Sequence, residues 1–455
     1  MMMLTATNPF TGASFGEYSA LSQKQASARI GDAQSAFPAW QKATFADRGA
    51  VLCKVAAKLR ENKHQLAELM AMEMGKPIKE GEPEVEKAAW CAEYYAEQGE
   101  KFLADEVIAS DASLSYIRHQ PLGTVLGILP WNAPLWLAFR FLAPALMAGN
   151  TCAMKHDPNV PGCALAIENI FTETGAPNNI MVNLAIATDQ VEAAIRDPRI
   201  AGVSFTGSTA AGRKVATIAG AEIKPVVLEL GGSDPCIVMA DADLDKAADT
   251  ATLSRIINAG QSCIAAKRII VETQIYDDFI ERLKQRLAAL KLGDPLQRTT
   301  DVGPLARKDL RDNLERQVAQ TLGAGARCTY KSEVPEGDGF FYPMTLLTNV
   351  ASGMCAFEEE IFGPVMAVTY ADNIDEALQT ANNSSYGLGA AIWTHNSDHI
   401  QRAINELESG QVAVNGIVKT DPRLPSGGIK NSGLGRELGS QGIREFVNIK
   451  QVWIK

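Results

Sequence analysis

The sequence predicts an α/β protein built on two mostly parallel sheets, with a small β extension. Three patterns predict it. Apolar strand-like runs alternate with helical stretches between about residues 124 and 239, and a second alternating series follows residue 263. Such alternation implies right-handed crossovers and parallel pairing. Residues 446–455 alternate apolar and polar positions as an exposed edge strand does, and an open edge predicts an oligomer contact.

The first hundred residues are mainly helical. Ser22 opens a run through Trp40, residues 46–74 repeat apolar side chains at helical spacing, and Gly75-Lys76-Pro77 stops them. A third helix is expected over about 82–103. Residues 113–119 alternate as a strand, and 124–129 read as a buried strand. Further strands are expected near 151–155, 180–185, 201–205, 225–230 and 236–239. The second series predicts strands at 268–271, 365–370, 388–393 and 411–415, with helices at 277–289, 374–381 and 398–408. No internal repeat, low-complexity segment or long linker interrupts it.

Composition narrows the function classes. A chain of 455 residues allows about three ordinary domains or two larger ones, and 46% hydrophobic residues supply a large core. A net charge of −10, with no basic run interleaved with aromatics, argues against nucleic acid. The start lacks a basic stretch followed by an apolar one, so no secretory signal is expected. The 122–149 region is broken by Pro130, Pro134, Arg140 and Pro144, so no membrane span is expected. Eight cysteines without a Cys-x-x-Cys pair fit reduced thiols in the cytoplasm. The five histidines form no ligand-spaced cluster; His395 and His399 are four apart but straddle a turn-like Asn396-Ser397-Asp398, so no metal site is expected.

Two stretches carry chemistry. Asn258-Ala259-Gly260-Gln261-Ser262-Cys263 places one cysteine after a glycine turn, behind a helix over about 244–257 that Asp243 would cap. A buried cysteine is by default a small core filler. Leu228-Glu229-Leu230-Gly231-Gly232 sets a lone carboxylate at the end of an apolar strand, which is costly unless that carboxylate is paired or functional. A thiol and a carboxylate together can form a covalent intermediate and hydrolyse it. The Gly-x-Gly-x-x-Gly dinucleotide fingerprint is absent after a strand. Instead, Gly207 and Ser208 of Phe205-Thr206-Gly207-Ser208 open a helix whose N–H groups would suit a phosphate.

Six motifs stand in the order seen in aldehyde dehydrogenases. They are Pro130-Trp131-Asn132-Ala133-Pro134, the loop from Phe205 to Gly212, Glu229-Leu230-Gly231-Gly232, Gly260-Gln261-Ser262-Cys263, Glu359-Glu360-Ile361-Phe362-Gly363-Pro364 and Ser426-Gly427-Gly428-Ile429-Lys430-Asn431-Ser432-Gly433. The chain resembles that superfamily from about Asn8 to its last strand. The resemblance implies a Rossmann-like cofactor domain of 1–103 and 122–231, an α/β catalytic domain of 232–443, and oligomerisation strands at 104–121 and 444–455 in a homodimer or homotetramer. It implies Cys263 as nucleophile, Asn132 as oxyanion donor with the Cys263 N–H, and Glu229 as the base that activates water. For the cofactor it implies Lys155 at the adenosine ribose, Gly207, Ser208 and Gly212 at the pyrophosphate, Glu360 and Phe362 at the nicotinamide ribose, and backbone contacts from Trp131 and Leu230.

One match and three departures refine the expectation. NAD-preferring relatives carry Glu three residues after the lysine; here that position is Pro158, so a 2′-phosphate is not repelled and both NAD and NADP are expected. Succinate-semialdehyde dehydrogenases place an arginine eight residues after the asparagine, as Arg140 does here, to grip the substrate's distal carboxylate with a planar fork. An arginine paired with a neighbouring carboxylate is the plainer alternative. The second arginine of those enzymes is Ile257 here, with Arg423 as a substitute from a loop, and Ser426 replaces the usual phenylalanine. The expected reaction is NAD(P)-dependent oxidation of succinate semialdehyde or a similar ω-carboxy aldehyde. The alternatives are a neutral-aldehyde enzyme, a CoA-acylating enzyme, and a catalytically silent scaffold of the same fold.

Overall fold

In the computed structural model, residues 3–455 are described. Local chemistry starts and stops the helices largely where the sequence marks them. Ser22 and Gln25 form a reciprocal capping box at the Gln23–Trp40 helix, and Thr44 with Asp47 does the same for Phe45–Glu61. The run expected as one helix over 46–74 is two, Phe45–Glu61 and Lys63–Met74, parted at Asn62 with φ −93° and ψ 10°. Asparagine is a poor interior helix residue, but the apolar spacing continues across the break and hides it. Gly75 ends the second helix in the left-handed region at φ 78°.

The first large sheet has six strands, in the order Gly433–Leu434, Val226–Glu229, Ile200–Thr206, Thr124–Leu129, Thr151–His156, Met181–Asn183. All pair in parallel except the short Gly433–Leu434 strand. Thr124–Leu129 and Thr151–His156 are buried along their whole length, as parallel strands with helices on both faces must be. One face packs on the Phe45–Glu61, Ile78–Phe102, Pro134–Met147 and Pro161–Glu173 helices, the other on Gln23–Trp40 and Thr209–Ala221. From Thr124–Leu129 the chain steps outward through Thr151–His156 to Met181–Asn183, then returns to Ile200–Thr206 on the other side. That reversal opens a crevice beyond the carboxyl ends of the strands, where ligands of such sheets bind.

The second sheet has seven strands, in the order Arg327–Lys331, Thr345–Thr348, Val365–Ala371, Arg268–Glu272, Pro235–Val238, Gly389–Trp393, Gln411–Val414. Only Arg327–Lys331 runs antiparallel. Its first two strands and the Lys308–Gly323 helix fall in a region where the sequence had suggested no elements, as does the Met3–Thr7 and Ser14–Ser19 hairpin at the start. A small sheet joins Glu106–Val107, Leu114–Pro121 and Val447–Ile454, the last two in antiparallel register from Val447 opposite Pro121 to Ile454 opposite Leu114.

Candidate active site

The carboxyl ends of the first sheet meet the amino ends of two strands of the second. Leu129 lies opposite His156, Ile128 opposite Phe205, and Thr206 opposite Glu229, so Trp131, Asn132, Lys155, Gly207 and Glu229 leave neighbouring strand ends together. Cys263 precedes the Arg268–Glu272 strand and Glu360 precedes Val365–Ala371, and those two strands are paired.

The turn before Cys263 is strained and heavily tied. The Leu244–Ile256 helix, capped by Asp243, gives way to Asn258, Ala259 and Gly260 at φ 54°, 52° and 74°. Left-handed backbone costs about 1–2 kcal/mol at each residue bearing a side chain. Neighbours hold it in place. Asn258 N–H donates to Glu80 Oε2 at 2.7 Å, Asn258 Nδ2 to Asn132 O at 2.8 Å, and Gln261 Nε2 back to Asn258 O at 3.0 Å. The fully buried Arg255 donates to Gly260 O at 3.2 Å and Ile361 O at 2.7 Å. A Cβ on Gly260 would stand 2.2 Å from Gly363 O, so only glycine fits.

Asn132 is fixed from both ends. Its Nδ2 donates to Gln261 O at 3.1 Å, and its carbonyl accepts from Lys76 Nζ at 2.9 Å. Lys76 forms a buried ion pair with Glu84. Glu84 Oε1 in turn accepts from Leu135 N at 2.9 Å and Trp136 N at 3.2 Å, capping the Pro134–Met147 helix, for which Ala133 offers no side-chain cap.

Cys263 is half-buried. Burial pushes its thiol up to about 11, against the pull of Lys267 and Arg140. The fully buried Lys267 donates to Cys263 O at 2.5 Å and Ser262 O at 2.8 Å, and stands 3.3 Å from Glu360 Oε1. The chain after Glu229 packs against the cysteine: a Cβ on Gly232 would come within 2.9 Å of Cys263 O.

Glu229 is buried, with Oε2 accepting from Arg140 Nη2 at 2.9 Å and Oε1 without a partner. Burial raises its carboxyl well above the usual range; Arg140 lowers it and Glu437 raises it. Arg140, which the sequence assigned to the substrate, is thus held by carboxylates on two sides, with Nη2 also 2.5 Å from Glu437 Oε2. Ser426 Oγ lies 3.4 Å from the same nitrogen. The contacts of Arg140 are those of the plainer alternative, an arginine paired with neighbouring carboxylates. Its buried Nε has no hydrogen-bond partner among the described residues. Arg423 is exposed, binds Asp421 through Nε at 2.9 Å and Nη2 at 2.7 Å, and lies over the Trp90 ring.

The remaining expected residues fit a dinucleotide. Ser208 caps the Thr209–Ala221 helix, accepting from Ala211 N at 3.3 Å, and Gly207 N–H donates to Glu229 O at 3.0 Å. A Cβ on Gly212 would stand 2.4 Å from Leu230 Cδ2, so glycine brings that helix onto the strand end. Lys155 is buried, forms neither ion pair nor hydrogen bond among the described residues, and is lowered by desolvation. An unpartnered buried ammonium suits an incoming polar ligand. Glu360 Oε1 accepts from Gly232 N at 3.2 Å, and Phe362 meets Trp131 edge to face at 5.9 Å. No group of three or more His, Cys, Asp or Glu among the described residues is arranged to hold a metal ion.

The family model described as the aldehyde dehydrogenase family matches residues 2–452. The chain belongs to that family. This aldehyde dehydrogenase is 46% identical over 453 residues to a Synechocystis protein named as a probable succinate-semialdehyde dehydrogenase (NADP(+)), covering all of both chains. It is 45% identical over 456 residues to succinate-semialdehyde dehydrogenase (NADP(+)) 1 of Mycobacterium tuberculosis, again covering all of both. The solved succinic semialdehyde dehydrogenase of Streptococcus pyogenes, in complex with NADP+ as the cofactor, matches at a TM-score of 0.96 and 33% identity over 99% of each chain.

Sequence reasoning missed Glu80, Glu84, Arg255, Lys267 and Glu437, all of which hold site residues in this aldehyde dehydrogenase. Lys267 and Arg255 follow and precede the cysteine motif closely enough to have drawn notice. Glu437 had no such signal, because its place beside Arg140 depends on the Ser426–Glu437 bridge between separate segments.

Proposed function

We propose that the enzyme oxidises succinate semialdehyde, or a similar short ω-carboxy aldehyde, to the acid with NADP+, and that it also accepts NAD+. The observation that carries this reading is Arg140, on the helix that follows Asn132, a buried guanidinium whose Nε is without a hydrogen-bond partner among the described residues even though its Nη2 is shared between Glu229 and Glu437. The full-length likeness to relatives named for that activity supports it.

Cys263 Sγ adds to the aldehyde carbon, and its thiol proton leaves toward Glu229, whose raised carboxyl is suited to accept and release protons near neutrality. The resulting oxyanion is met by the Asn132 amide and the Cys263 N–H, donors of a kind typically worth about 3 kcal/mol. NADP+ supplies the hydride acceptor when bound, with Lys155, Gly207, Ser208, Gly212, Glu360 and Phe362, and the backbone of Trp131 and Leu230, as its holders. Glu229 then deprotonates the water that hydrolyses the Cys263 thioester, its unpartnered Oε1 being the oxygen free to accept. On this reading residues 1–103 and 122–231 bind the cofactor, 232–443 hold the thiol, and 104–121 with 444–455 join subunits.

Pro158, where a glutamate would repel a 2′-phosphate, supports use of both cofactors. A second reading, a neutral-aldehyde enzyme, draws on the sharing of Arg140 between Glu229 and Glu437. Steady-state rates with succinate semialdehyde, glutarate semialdehyde and butanal, each with NAD+ and NADP+ and without CoA, decide. The expected kcat/KM for succinate semialdehyde exceeds that for butanal at least about tenfold, with turnover on both cofactors. Equal kcat/KM for butanal favours the second reading, and a large preference for NAD+ removes the Pro158 argument.

A further inference from the structure

Arg140 is the cation nearest the base, and two carboxylates already hold it. Lys87 is a second cation on the same side of the site, and no carboxylate holds it. It lies on the Ile78–Phe102 helix, one turn after Glu84 and so on the face that packs against the Pro134–Met147 helix. Its Nζ donates to Thr420 Oγ1 at 2.8 Å, and Trp136 Nε1 donates to the same hydroxyl at 3.1 Å. The ammonium also sits 4.2 Å from the centroid of the Trp136 ring. Trp136 and Arg140 are one turn apart on their helix, so Lys87 stands beside Arg140 toward the end that follows Asn132.

The carboxylates near Lys87 are engaged elsewhere. Glu84 is paired with Lys76 and caps the Pro134–Met147 helix, and Asp421 is paired with Arg423. Among the described residues Lys87 forms no ion pair. A half-buried ammonium without a counter-charge is unfavourable, and a tryptophan face and one hydroxyl offset only part of that. An anion entering beside Arg140 would supply what is missing.

We infer that Lys87 is a substrate-binding residue, its ammonium taking the distal carboxylate of the aldehyde alongside Arg140. The inference rests on the carboxy-aldehyde reading above. Trp136 and Thr420 are positioning residues for it. Burial and the charge of Arg140 lower Lys87 to about 8, with Glu84, Cys91 and Asp421 acting the other way. These four are the charged or titratable groups that face it: Glu84 and Cys91 from its own helix, Arg140 from Pro134–Met147, and Asp421 from the loop after Thr420. Its charge is therefore present below that pH and lost above it, while the substrate carboxylate stays ionised.

The test is the ratio of kcat/KM for succinate semialdehyde to that for butanal, in the full-length wild type, Lys87→Met and Lys87→Arg, with NADP+. The expected result for Lys87→Met is a KM for succinate semialdehyde at least tenfold higher, with kcat within twofold and butanal kinetics unchanged. Lys87→Arg should stay within about threefold of wild type. The wild-type ratio should fall between pH 7 and 9, whereas that of Lys87→Arg should stay flat. Retention of the wild-type ratio by Lys87→Met, equal KM losses on both aldehydes, or a pH-independent wild-type ratio would overturn the role of Lys87 alone. A wild type that shows no preference for succinate semialdehyde would overturn the parent reading, and Lys87 with it. Butanal turnover reports folding, and the pH comparison of wild type with Lys87→Arg needs no methionine variant.

Discussion

Burial raises the Glu229 carboxyl, Arg140 on one side pulls it down, and Glu437 beyond Arg140 pushes it up again. The working form of the base is ionised, so kcat/KM should fall on acidification at a pH above the ordinary carboxylate range. Replacing Glu437 by glutamine removes a repelling charge and leaves Arg140 more fully to Glu229. Both effects favour the ionised base. The acid limb of the kcat/KM profile for butanal, a substrate without a carboxylate, should therefore move down by roughly one pH unit in Glu437→Gln. A limb that stays or moves upward would show that Glu437 does not tune the base. The sequence showed Glu229 because a lone carboxylate on an apolar strand is conspicuous. It could not show Glu437, whose effect depends on a guanidinium supplied by a distant helix.

The turn of Asn258, Ala259 and Gly260 shows how an element aims a side chain. Three successive left-handed residues reverse the chain after the Leu244–Ile256 helix, and Glu80, Asn132, Gln261 and Arg255 lock the reversal. Gly260→Ala would drive a methyl into the Gly363 carbonyl, a backbone atom that cannot step aside. We expect a loss of stability of about 2–4 kcal/mol by denaturant titration. A loss of kcat on the order of a hundredfold should accompany it, as Cys263 is displaced. Gly220→Ala, in the Thr209–Ala221 helix with open space around its Cβ, should be neutral or stabilising by up to about 1 kcal/mol. Similar effects of the two substitutions would argue that the turn is not special. The glycine and cysteine of this motif were legible as a turn; the buried Arg255 that ties it to Ile361 and Gly363 was not, because arginine carries no mark of burial in a sequence. The same limit hid the break at Asn62, where apolar spacing runs on through a change of direction.

At the scale of the molecule, the two sheets were legible from alternation, but their strand orders were not. The order depends on long-range pairing that periodicity does not encode, and it alone explains why Asn132, Glu229 and Cys263 converge where one sheet ends and another begins. The small third sheet stands apart from that crevice. Its Val447–Ile454 strand pairs with Leu114–Pro121 along one side, and among the described residues nothing pairs with its other side. Ile449 and Trp453 share one face of the strand, exposed by 63% and 45%. An eight-residue edge with exposed apolar side chains is a template for another chain unless a partner covers it. The partner expected is a second copy of this chain, and the wild type should sediment as a dimer or tetramer. Ile449→Asp combined with Trp453→Asp places two charges on that face and should yield a monomer in analytical ultracentrifugation. Asn132, Glu229 and Cys263 lie where the two large sheets meet, and this edge belongs to the separate small sheet. The monomer should therefore keep kcat within about threefold of wild type. A monomeric wild type, or an unchanged oligomer in the double variant, would move the subunit contact away from this edge; loss of activity with the monomer would show that the edge supports the site as well as the assembly.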